Sequence, residues 1–217
     1  MLLIKPNYSI EFIKTEQEIL KTLEVYGRVC YKSEDKITSE SAVKFFKMLL
    51  SKKHLSVVEH EYMTVRFICD RGFTHELVRH RLASFSQEST RYCNYKKKNV
   101  TFIIPPWVNI IPGLYPNYLL LDGVVCNNDE ALFYWFTLIK SAEDKYNRLI
   151  ELGWSPQQAR SVLPNSLKTE IVITANLREW KHIFDMRCAK SAHPQMRELM
   201  CPLKDQLSQS HPVIFGD

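Results

Sequence analysis

Residues 60–70, HEYMTVRFICD, place an apolar side chain at every second position, at Met63, Val65, Phe67 and Cys69. Because successive side chains of a β-strand point to opposite faces, this alternation predicts a strand with one buried face. The next segment, THELVRHRLA at 74–83, predicts a helix that begins at Thr74. A strand and an arginine-rich helix are therefore expected in direct succession.

The rest of the chain mixes the two periodicities. Helical periodicity predicts helices over 16–27, 39–51, 129–152, 155–164, 177–188 and 195–208. Strand-like runs are found at 101–104 and 169–175, and the polar residues 84–99 predict a loop. Because strands and helices alternate without regular βαβ units, the pattern predicts an α+β fold with a mixed sheet and packed helices. The length favours a single domain over residues 1–217.

Composition excludes several classes of protein. The chain has 217 residues, of which 45% are hydrophobic, and it contains no apolar stretch of the roughly 18 residues that a membrane-spanning helix needs. Lys5 and Pro6 come too early for a secretory signal peptide, so we expect a cytoplasmic protein with no membrane partner. The six cysteines form no C-x-x-C pair, which argues against zinc-ribbon and thioredoxin-like proteins and predicts free thiols.

The densest polar cluster runs from Arg79-His80-Arg81 to Arg91-Tyr92. Successive helical residues point about 100° apart, so a helix would fan Arg79, His80 and Arg81 outward from one turn. The following residues supply hydroxyls, an amide and a further arginine, which suit phosphates and carbonyl-rich rings. The cluster therefore predicts an anion- or nucleotide-binding site, and the alternative is an exposed basic helix end with no ligand.

This cluster also resembles the signature of the flavin-dependent thymidylate synthase (ThyX) family, R-H-R, seven residues, then S. Here the signature is Arg79-His80-Arg81 followed by Ser89. Further segments resemble other elements of the family in the same order: Arg28–Tyr31, His54–His60, Ala159–Pro164, Asn176–Trp180, and His182 with Arg187. The resemblance extends from about residue 27 to residue 200, which is nearly the whole chain.

The resemblance implies two sets of site residues. The FAD set comprises His54, Ser56, Arg79, His80, Arg81, Gln87, Asn176, Leu177, Arg178 and His182. The dUMP set comprises Glu76, Leu77, Val78, Arg79, Gln87, Glu88, Ser89, Thr90, Arg91, Arg160 and Arg187. Within the dUMP set, Ser89 and Arg91 would hold the phosphate, and Arg187 would be the catalytic residue beside the uracil ring.

The resemblance also implies the reaction and the partners. The enzyme would convert dUMP to dTMP, taking the carbon from 5,10-methylenetetrahydrofolate and a hydride from FAD that NADPH has reduced. It would do so without a covalent enzyme nucleophile, because a guanidinium beside the pyrimidine stabilises negative charge on the ring. Since Arg79–Arg81 would serve two large ligands, we expect a homotetramer with active sites at subunit interfaces.

Two alternatives remain beside this hypothesis. The formal charge of +5 would also suit a nucleic-acid-binding module that uses Arg79, Arg81, Arg91 and the run at 96–98, with Tyr92, Tyr95 and Trp107 for stacking. The other arginines are dispersed along the sequence, which argues against this alternative, so we expect no nucleic-acid partner. A cysteine-dependent methyltransferase would need an activated thiol, and no cysteine has a recognisable low-pKa setting in the sequence. His54 and His60 do not match the H-E-x-x-H spacing, so no metal is predicted.

Overall fold

The computed structural model describes residues 1–97, 99–117 and 130–216. Its strands are β1 (Leu2–Ile4), β2 (Asn7–Phe12), β3 (Tyr62–Asp70), β4 (Ala83–Gln87), β5 (Thr101–Ile103), β6 (Gly113–Leu114) and β7 (Lys168–Asn176). Its helices are α1 (Glu16–Val29), α2 (Ser41–Ser51), α3 (Arg71–Leu77), α4 (Glu130–Glu151), α5 (Pro156–Ala159), α6 (Leu177–Arg187), α7 (Pro194–Ser210) and α8 (Pro212–Phe215). Short 3₁₀ turns cover Glu34–Lys36, Leu55–His60, Tyr95–Lys97 and Arg160–Val162. The predicted α+β class is confirmed.

The strands form two sheets. The first has the order β5-β1-β6, in which β1 is parallel to β5, with Leu2 opposite Thr101, and antiparallel to β6, with Leu2 opposite Leu114. The second has the order β2-β3-β7-β4. The predicted strand at 60–70 is β3, and its four inward side chains are all buried. The predicted strand at 169–175 is β7, which buries Thr169, Ile171, Ile173 and Ala175 in the same alternating pattern.

The residues divide into two units by their contacts. The first unit contains Met1–Asn7, Phe67–Arg79 and Ser86–Ile171, and the second contains Tyr8–Arg66, His80–Phe85 and Val172–Asp217. In the first unit, Leu132, Phe136, Ile139 and Tyr146 of α4 belong to a hydrophobic core together with residues of β1 and β5. In the second unit, α1 packs on α2, and α6 packs on α7 and on the 3₁₀ turn Leu55–His60. The single domain over 1–217 stays a prediction.

Most predicted helices agree with the structure to within a few residues. The helix predicted over 129–152 is α4, although residue 129 lies outside the described residues. The segment predicted as one helix from 155 to 164 is the short α5 followed by a 3₁₀ turn. The N-terminal strands β1 and β2 were not predicted; β1 has only three residues, and the alternating Tyr8, Ile10 and Phe12 of β2 include no fully buried side chain. Among the described residues, no helix is both long enough and apolar enough to cross a membrane.

The helix predicted over 74–83 was placed wrongly. Helix α3 begins at Arg71, because the Asp70 side chain accepts a hydrogen bond of 2.7 Å from the Phe73 N–H and caps the helix there. The helix ends at Leu77, so Arg79, His80 and Arg81 lie beyond it. The prediction that one helical turn fans these three side chains outward is therefore wrong.

The loop predicted over 84–99 was also partly wrong, because it contains most of β4. In this strand Ala83, Phe85 and Gln87 are partly buried, whereas Ser84 and Ser86 are exposed. The strand was not predicted because its serines alternate with side chains of mixed polarity, and such an alternation gives only a weak strand signal. Within the later part, Tyr95–Lys97 forms a 3₁₀ turn, and residue 98 lies outside the described residues.

Candidate functional site

In the first unit, the last residue of β4 and the four polar residues after it form what we call the Ser89 turn (residues 87–91). Thr90 is buried, and its Oγ1 accepts a hydrogen bond of 3.0 Å from Nη1 of Arg160. The Arg91 N–H lies 3.3 Å from the Ser89 Oγ, which accepts its hydrogen bond. Arg91 and Arg160 are both exposed. The turn thus combines Arg91 and two hydroxyls of the dUMP set with Arg160, which is bonded to it from a distant segment, an arrangement suited to an oxygen-rich anion.

The side chains of Gln87 and Glu88 are bonded to protein groups. Gln87 Nε2 donates to Oγ1 of Thr74 at 3.0 Å and to Oγ1 of Thr169 at 3.3 Å. Glu88 accepts a hydrogen bond of 2.9 Å from Lys168 Nζ, which also donates to Glu170. Gln87 and Glu88, which belong to the predicted dUMP set, therefore bond the turn to the first residues of β7.

A cavity of about 500 Å³ adjoins the Ser89 turn. It is lined by Glu88, Cys93, Asn94, Tyr95, Asn99, Thr101, Lys168 and Glu170. Burial raises the pKa of the Tyr95 hydroxyl far above its usual value, and the nearby Glu88 carboxylate adds to the shift. The hydroxyl is therefore protonated at every physiological pH.

Four further residues of the dUMP set lie at the end of α3. Leu77 is fully buried, so only its main chain could face a ligand. Val78 and Arg79 are exposed, and the Arg79 N–H donates to the Glu76 carbonyl oxygen at 3.3 Å. Glu76 is half-buried. Arg79, which both predicted sets share, is therefore exposed to solvent.

In the second unit, α6 begins with three members of the FAD set. The Asn176 side chain caps the helix, because its Oδ1 accepts a hydrogen bond of 2.8 Å from the Glu179 N–H. Leu177 is buried, and its N–H donates to the Glu61 carbonyl oxygen at 2.9 Å. Arg178 is exposed and donates from Nη1 to Glu59 at 2.6 Å. The helix start thus presents one capping amide and one exposed guanidinium.

His80 is the centre of what we call the His80 cluster (His80, Glu179, His182 and Arg187). The His80 side chain is buried, with Nδ1 3.3 Å from the Glu179 carboxylate and Nε2 3.0 Å from Nε of Arg187. The ring of His182 meets it edge-on at 5.8 Å between centroids. Burial and the Arg187 guanidinium lower the pKa of His80 below its usual value, which the Glu179 carboxylate opposes. His80 is therefore a neutral imidazole at neutral pH.

Glu179 was not among the predicted site residues. It lies 99 positions after His80 in the sequence, and no local pattern links the two. The available signal was its place three residues after Asn176, which predicts a helix start rather than a site.

The His80 cluster also contains a possible metal-binding group. Ligand atoms of His80, Glu179 and His182 all lie within 4.8 Å of one another. However, Arg187 carries a permanent positive charge and is hydrogen-bonded to the same imidazole. A cation would therefore meet an unfavourable charge at this place, which disfavours a metal centre.

Two further members of the FAD set, His54 and Ser56, lie at the 3₁₀ turn Leu55–His60. His54 precedes the turn, and its Nδ1 lies 2.5 Å from the Tyr31 hydroxyl, with the two rings stacked. Ser56 is exposed within the turn. A cavity of about 210 Å³ joins this turn to α6, lined by Leu50, Leu55, Val58, Arg178, Lys181, His182 and Asp185. One apolar wall thus faces several charged side chains.

The structure brings the predicted residues together in two groups. The first unit gathers Glu76 to Arg79, Gln87 to Arg91, and Arg160. The second unit gathers His54, Ser56, His80, Arg81, Asn176 to Arg178, His182 and Arg187. Arg81 is exposed in the segment before β4. Each predicted set has members in both units, so the assembly of a complete FAD or dUMP site stays a prediction.

Two solved structures share this fold. The UMP/dUMP methylase PolB from Streptomyces cacaoi, bound with 5-Br dUMP, gives a TM-score of 0.75 at 22% identity, over 99% of this chain and 95% of that one. Thymidylate synthase X from Helicobacter pylori, with FAD and dUMP, gives 0.72 at 21% identity, over 97% of both chains.

Sequence comparison identifies the family. Residues 11–213 match the family model described as thymidylate synthase complementing protein. The flavin-dependent thymidylate synthase of Corynebacterium diphtheriae is 32% identical over 97% of this chain and 82% of its own length, and that of Corynebacterium efficiens is 34% identical over 90% and 78%. The family predicted from Arg79-His80-Arg81 and Ser89 is thereby confirmed. The chain belongs to the flavin-dependent thymidylate synthases, a family of methyltransferase enzymes.

Proposed function

We propose that this enzyme converts dUMP to dTMP, with 5,10-methylenetetrahydrofolate as the carbon donor and NADPH as the reductant of bound FAD. The solved neighbours are bound with dUMP or its 5-bromo analogue, and one also with FAD. The fold supports the same ligand classes here. The reaction would need no covalent bond to the protein.

The observation that carries the dUMP assignment is the Ser89 turn. Arg160 reaches the Thr90 hydroxyl from 70 positions away in the sequence, and Arg91 is adjacent to it in the chain. Guanidinium groups and hydroxyls together bind phosphate oxygens with charge-assisted hydrogen bonds. We therefore assign the 5′-phosphate to Ser89, Arg91 and Arg160.

Arg187 is the residue we assign to the uracil ring. For C5 to attack a one-carbon electrophile, negative charge must spread over N3 and the carbonyl oxygens of the ring. A guanidinium held in place beside the ring stabilises that charge as it develops, and its high pKa prevents it from losing its own proton. The hydrogen bond of Nε to His80 gives Arg187 a defined position, as this role requires.

The residues of the second unit fit a flavin dinucleotide. The cavity between the Leu55–His60 turn and α6 has apolar lining residues for an aromatic ring, and Arg178 and Lys181 also line it. Positive side chains of this kind suit a pyrophosphate. Bound FAD would supply the hydride chemistry, and the protein's part would be to bind, orient and exclude water. We assign His54, Ser56, Arg178 and His182 to this cofactor, together with Asn176.

Two of the described thiols do not suit a nucleophilic role. Burial raises the pKa of the Cys69 thiol well above its usual value. Burial and a hydrogen bond with Cys201 raise the pKa of Cys188 to about 12. A thiol must be ionised to attack the pyrimidine, so these two cysteines are poor nucleophiles at neutral pH. This supports a mechanism without a covalent enzyme intermediate.

We also propose a cytoplasmic homotetramer with active sites between subunits. Helix α4 leaves Phe133, Tyr134 and Leu138 exposed, and α1 leaves Val25 and Val29 exposed. Apolar side chains grouped on one helix are typical of surfaces that pack against another subunit. A monomer in light scattering that still turned over would contradict this assembly.

The visible absorption spectrum of the purified protein tests the function. We expect a flavin spectrum that bleaches when NADPH and dUMP are added without oxygen. Methylenetetrahydrofolate labelled in its methylene group should then deliver the label to dTMP, and omission of dUMP is the control. A colourless protein that takes up no added FAD would contradict the proposal and favour the nucleic-acid-binding alternative.

A further inference from the structure

We propose that Glu179 is a positioning residue, which acts through His80 to hold the Arg187 guanidinium in its working orientation. The inference rests on the proposed function, in which Arg187 lies beside the uracil ring. It adds a residue that the family signature does not contain, and it assigns His80 a role toward Arg187 in addition to its place in the FAD set.

The direction of the hydrogen bonds follows from the chemistry of arginine. A guanidinium has only donors and keeps its charge at all physiological pH values. In the 3.0 Å contact between Arg187 Nε and His80 Nε2, the imidazole nitrogen must therefore accept. A neutral imidazole that accepts at Nε2 carries its proton on Nδ1. The 3.3 Å contact is thus a hydrogen bond from His80 Nδ1–H to the Glu179 carboxylate.

The surroundings make this tautomer strongly preferred. His80 and Glu179 are only 5% and 7% exposed, so water competes weakly for their hydrogen bonds. If the proton moved to Nε2, it would face the Arg187 N–H, and Glu179 would lose its donor. The Glu179 carboxylate therefore selects the form of His80 that can hold Arg187.

The position of Glu179 on α6 explains why an intermediary is needed. Glu179 and Arg187 are eight residues apart, which is about 12 Å along a helix axis. The His80 ring comes from the segment before β4 and contacts both ends of this span. The Asn176 side chain also holds the Glu179 N–H at 2.8 Å. Arg187, the last residue of α6, is thereby positioned by contacts that begin in the first turn of the same helix.

A guanidinium that is held before the reaction stabilises developing charge better than one that must first reorient. Loss of the Glu179 hydrogen bond should therefore lower the rate of the chemical step. Flavin content should fall less than kcat, because Glu179 itself is not assigned to FAD, although its partner His80 is. A fall in kcat with flavin still bound would distinguish a loss of positioning from a general loss of structure.

Two variants at one position give the kinetic test. Glu179→Gln keeps an oxygen that accepts from Nδ1–H, so we expect kcat within about threefold of the unmodified enzyme. Glu179→Leu removes the acceptor, and we expect kcat to fall about tenfold or more, on the scale of other residues that orient a functional histidine. Glu143→Leu is the matched control, since Glu143 is another buried, ion-paired carboxylate, outside both predicted sets. Equal losses in the Gln and Leu variants at position 179 would overturn the proposal.

Nitrogen NMR of histidine-labelled protein tests the hydrogen bonds without turnover. We expect His80 protonated at Nδ1 in the unmodified protein and in Glu179→Gln, and a shift toward Nε2 protonation in Glu179→Leu. Protonation at Nε2 in the unmodified protein would overturn the proposal, and so would binding of added Zn²⁺ by His80 and Glu179. A failure of the proposed function would show differently, as dTMP formation retained in Arg187→Ala.

Discussion

The Ser89 turn and the His80 cluster hold their charged side chains in different ways. At the Ser89 turn, Arg91 and Arg160 are exposed, and Arg160 bonds to a single hydroxyl of Thr90 in the described contacts. In the His80 cluster, His80 and Glu179 are buried and bonded in series to Arg187. Exposed arginines supply charge, whereas a half-buried arginine that is bonded to buried side chains also has a defined geometry. Changes at the turn should therefore alter dUMP affinity, and changes in the cluster should alter the rate of the chemical step.

The largest expected effect belongs to the cluster. Arg187→Ala removes the group that would stabilise charge on uracil, so we expect kcat to fall by about 10²- to 10³-fold. Flavin content, read from the visible spectrum, should be unchanged. If the variant still formed dTMP, Arg187 would have no role in the chemical step. The distinction between a turn that sets affinity and a cluster that sets rate would then be wrong.

The next effect belongs to the turn. In Arg160→Ala we expect KM for dUMP to rise about 10- to 100-fold with kcat little changed, because a ground-state phosphate contact is lost. Arg148→Ala is the matched control, since Arg148 is an exposed, ion-paired arginine on α4. A fall in kcat with unchanged KM would show that the turn, too, acts in the chemical step.

Acidification at saturating dUMP should sharpen the comparison by lowering kcat through the cluster. Protonated His80 cannot accept from Arg187, and its new charge would repel the guanidinium. Since burial and Arg187 hold the pKa of His80 below its usual value of 6.5, with Glu179 opposing and His182 adding to the shift, kcat should fall as pH drops below 6.5.

The measurement is kcat against pH at saturating dUMP. In Glu179→Gln the opposing carboxylate is gone, so the His80 pKa should fall further and the acidic limb should move to lower pH. An acidic limb that moves upward, or one that is unchanged, would contradict the assignment of this limb to His80.

The smallest effect should come from the thiol next to the cluster. Cys188 follows Arg187 in the chain, and burial together with the bond to Cys201 raises its pKa to about 12. We expect Cys188→Ser to keep kcat within about twofold, because a protonated thiol has no nucleophilic role. Loss of turnover with flavin still bound would favour a thiol mechanism instead.

Much of the fold was accessible from sequence because its periodicities are strong. In β3 every second residue from Met63 to Cys69 is buried, as the alternation predicts. Helix α3 was misplaced because Asp70 ends β3 and also caps the helix, so the strand pattern concealed the helix start. Strand β4 was missed because its serines resemble a loop. Local signals fail where one residue serves two elements.

The candidate site was accessible for a different reason. The R-H-R…S signature and its flanking segments pointed to Ser89, Arg91, Arg160 and Arg187 through family resemblance. The contact of Glu179 with His80 joins residues 99 apart, and neither periodicity nor spacing encodes such a pair. The two hydrogen bonds that fix the His80 tautomer could therefore be found only in the fold.

Asn176 joins the stability of α6 to the predicted FAD site. Its side chain caps α6 and belongs to the predicted FAD set. Replacing it with alanine should cost about 1 kcal/mol of stability through the lost cap. It would also loosen the Glu179 backbone, from which the position of Arg187 is set. A compound that binds against Asn176 would thus contact a residue whose replacement by alanine also weakens the start of α6.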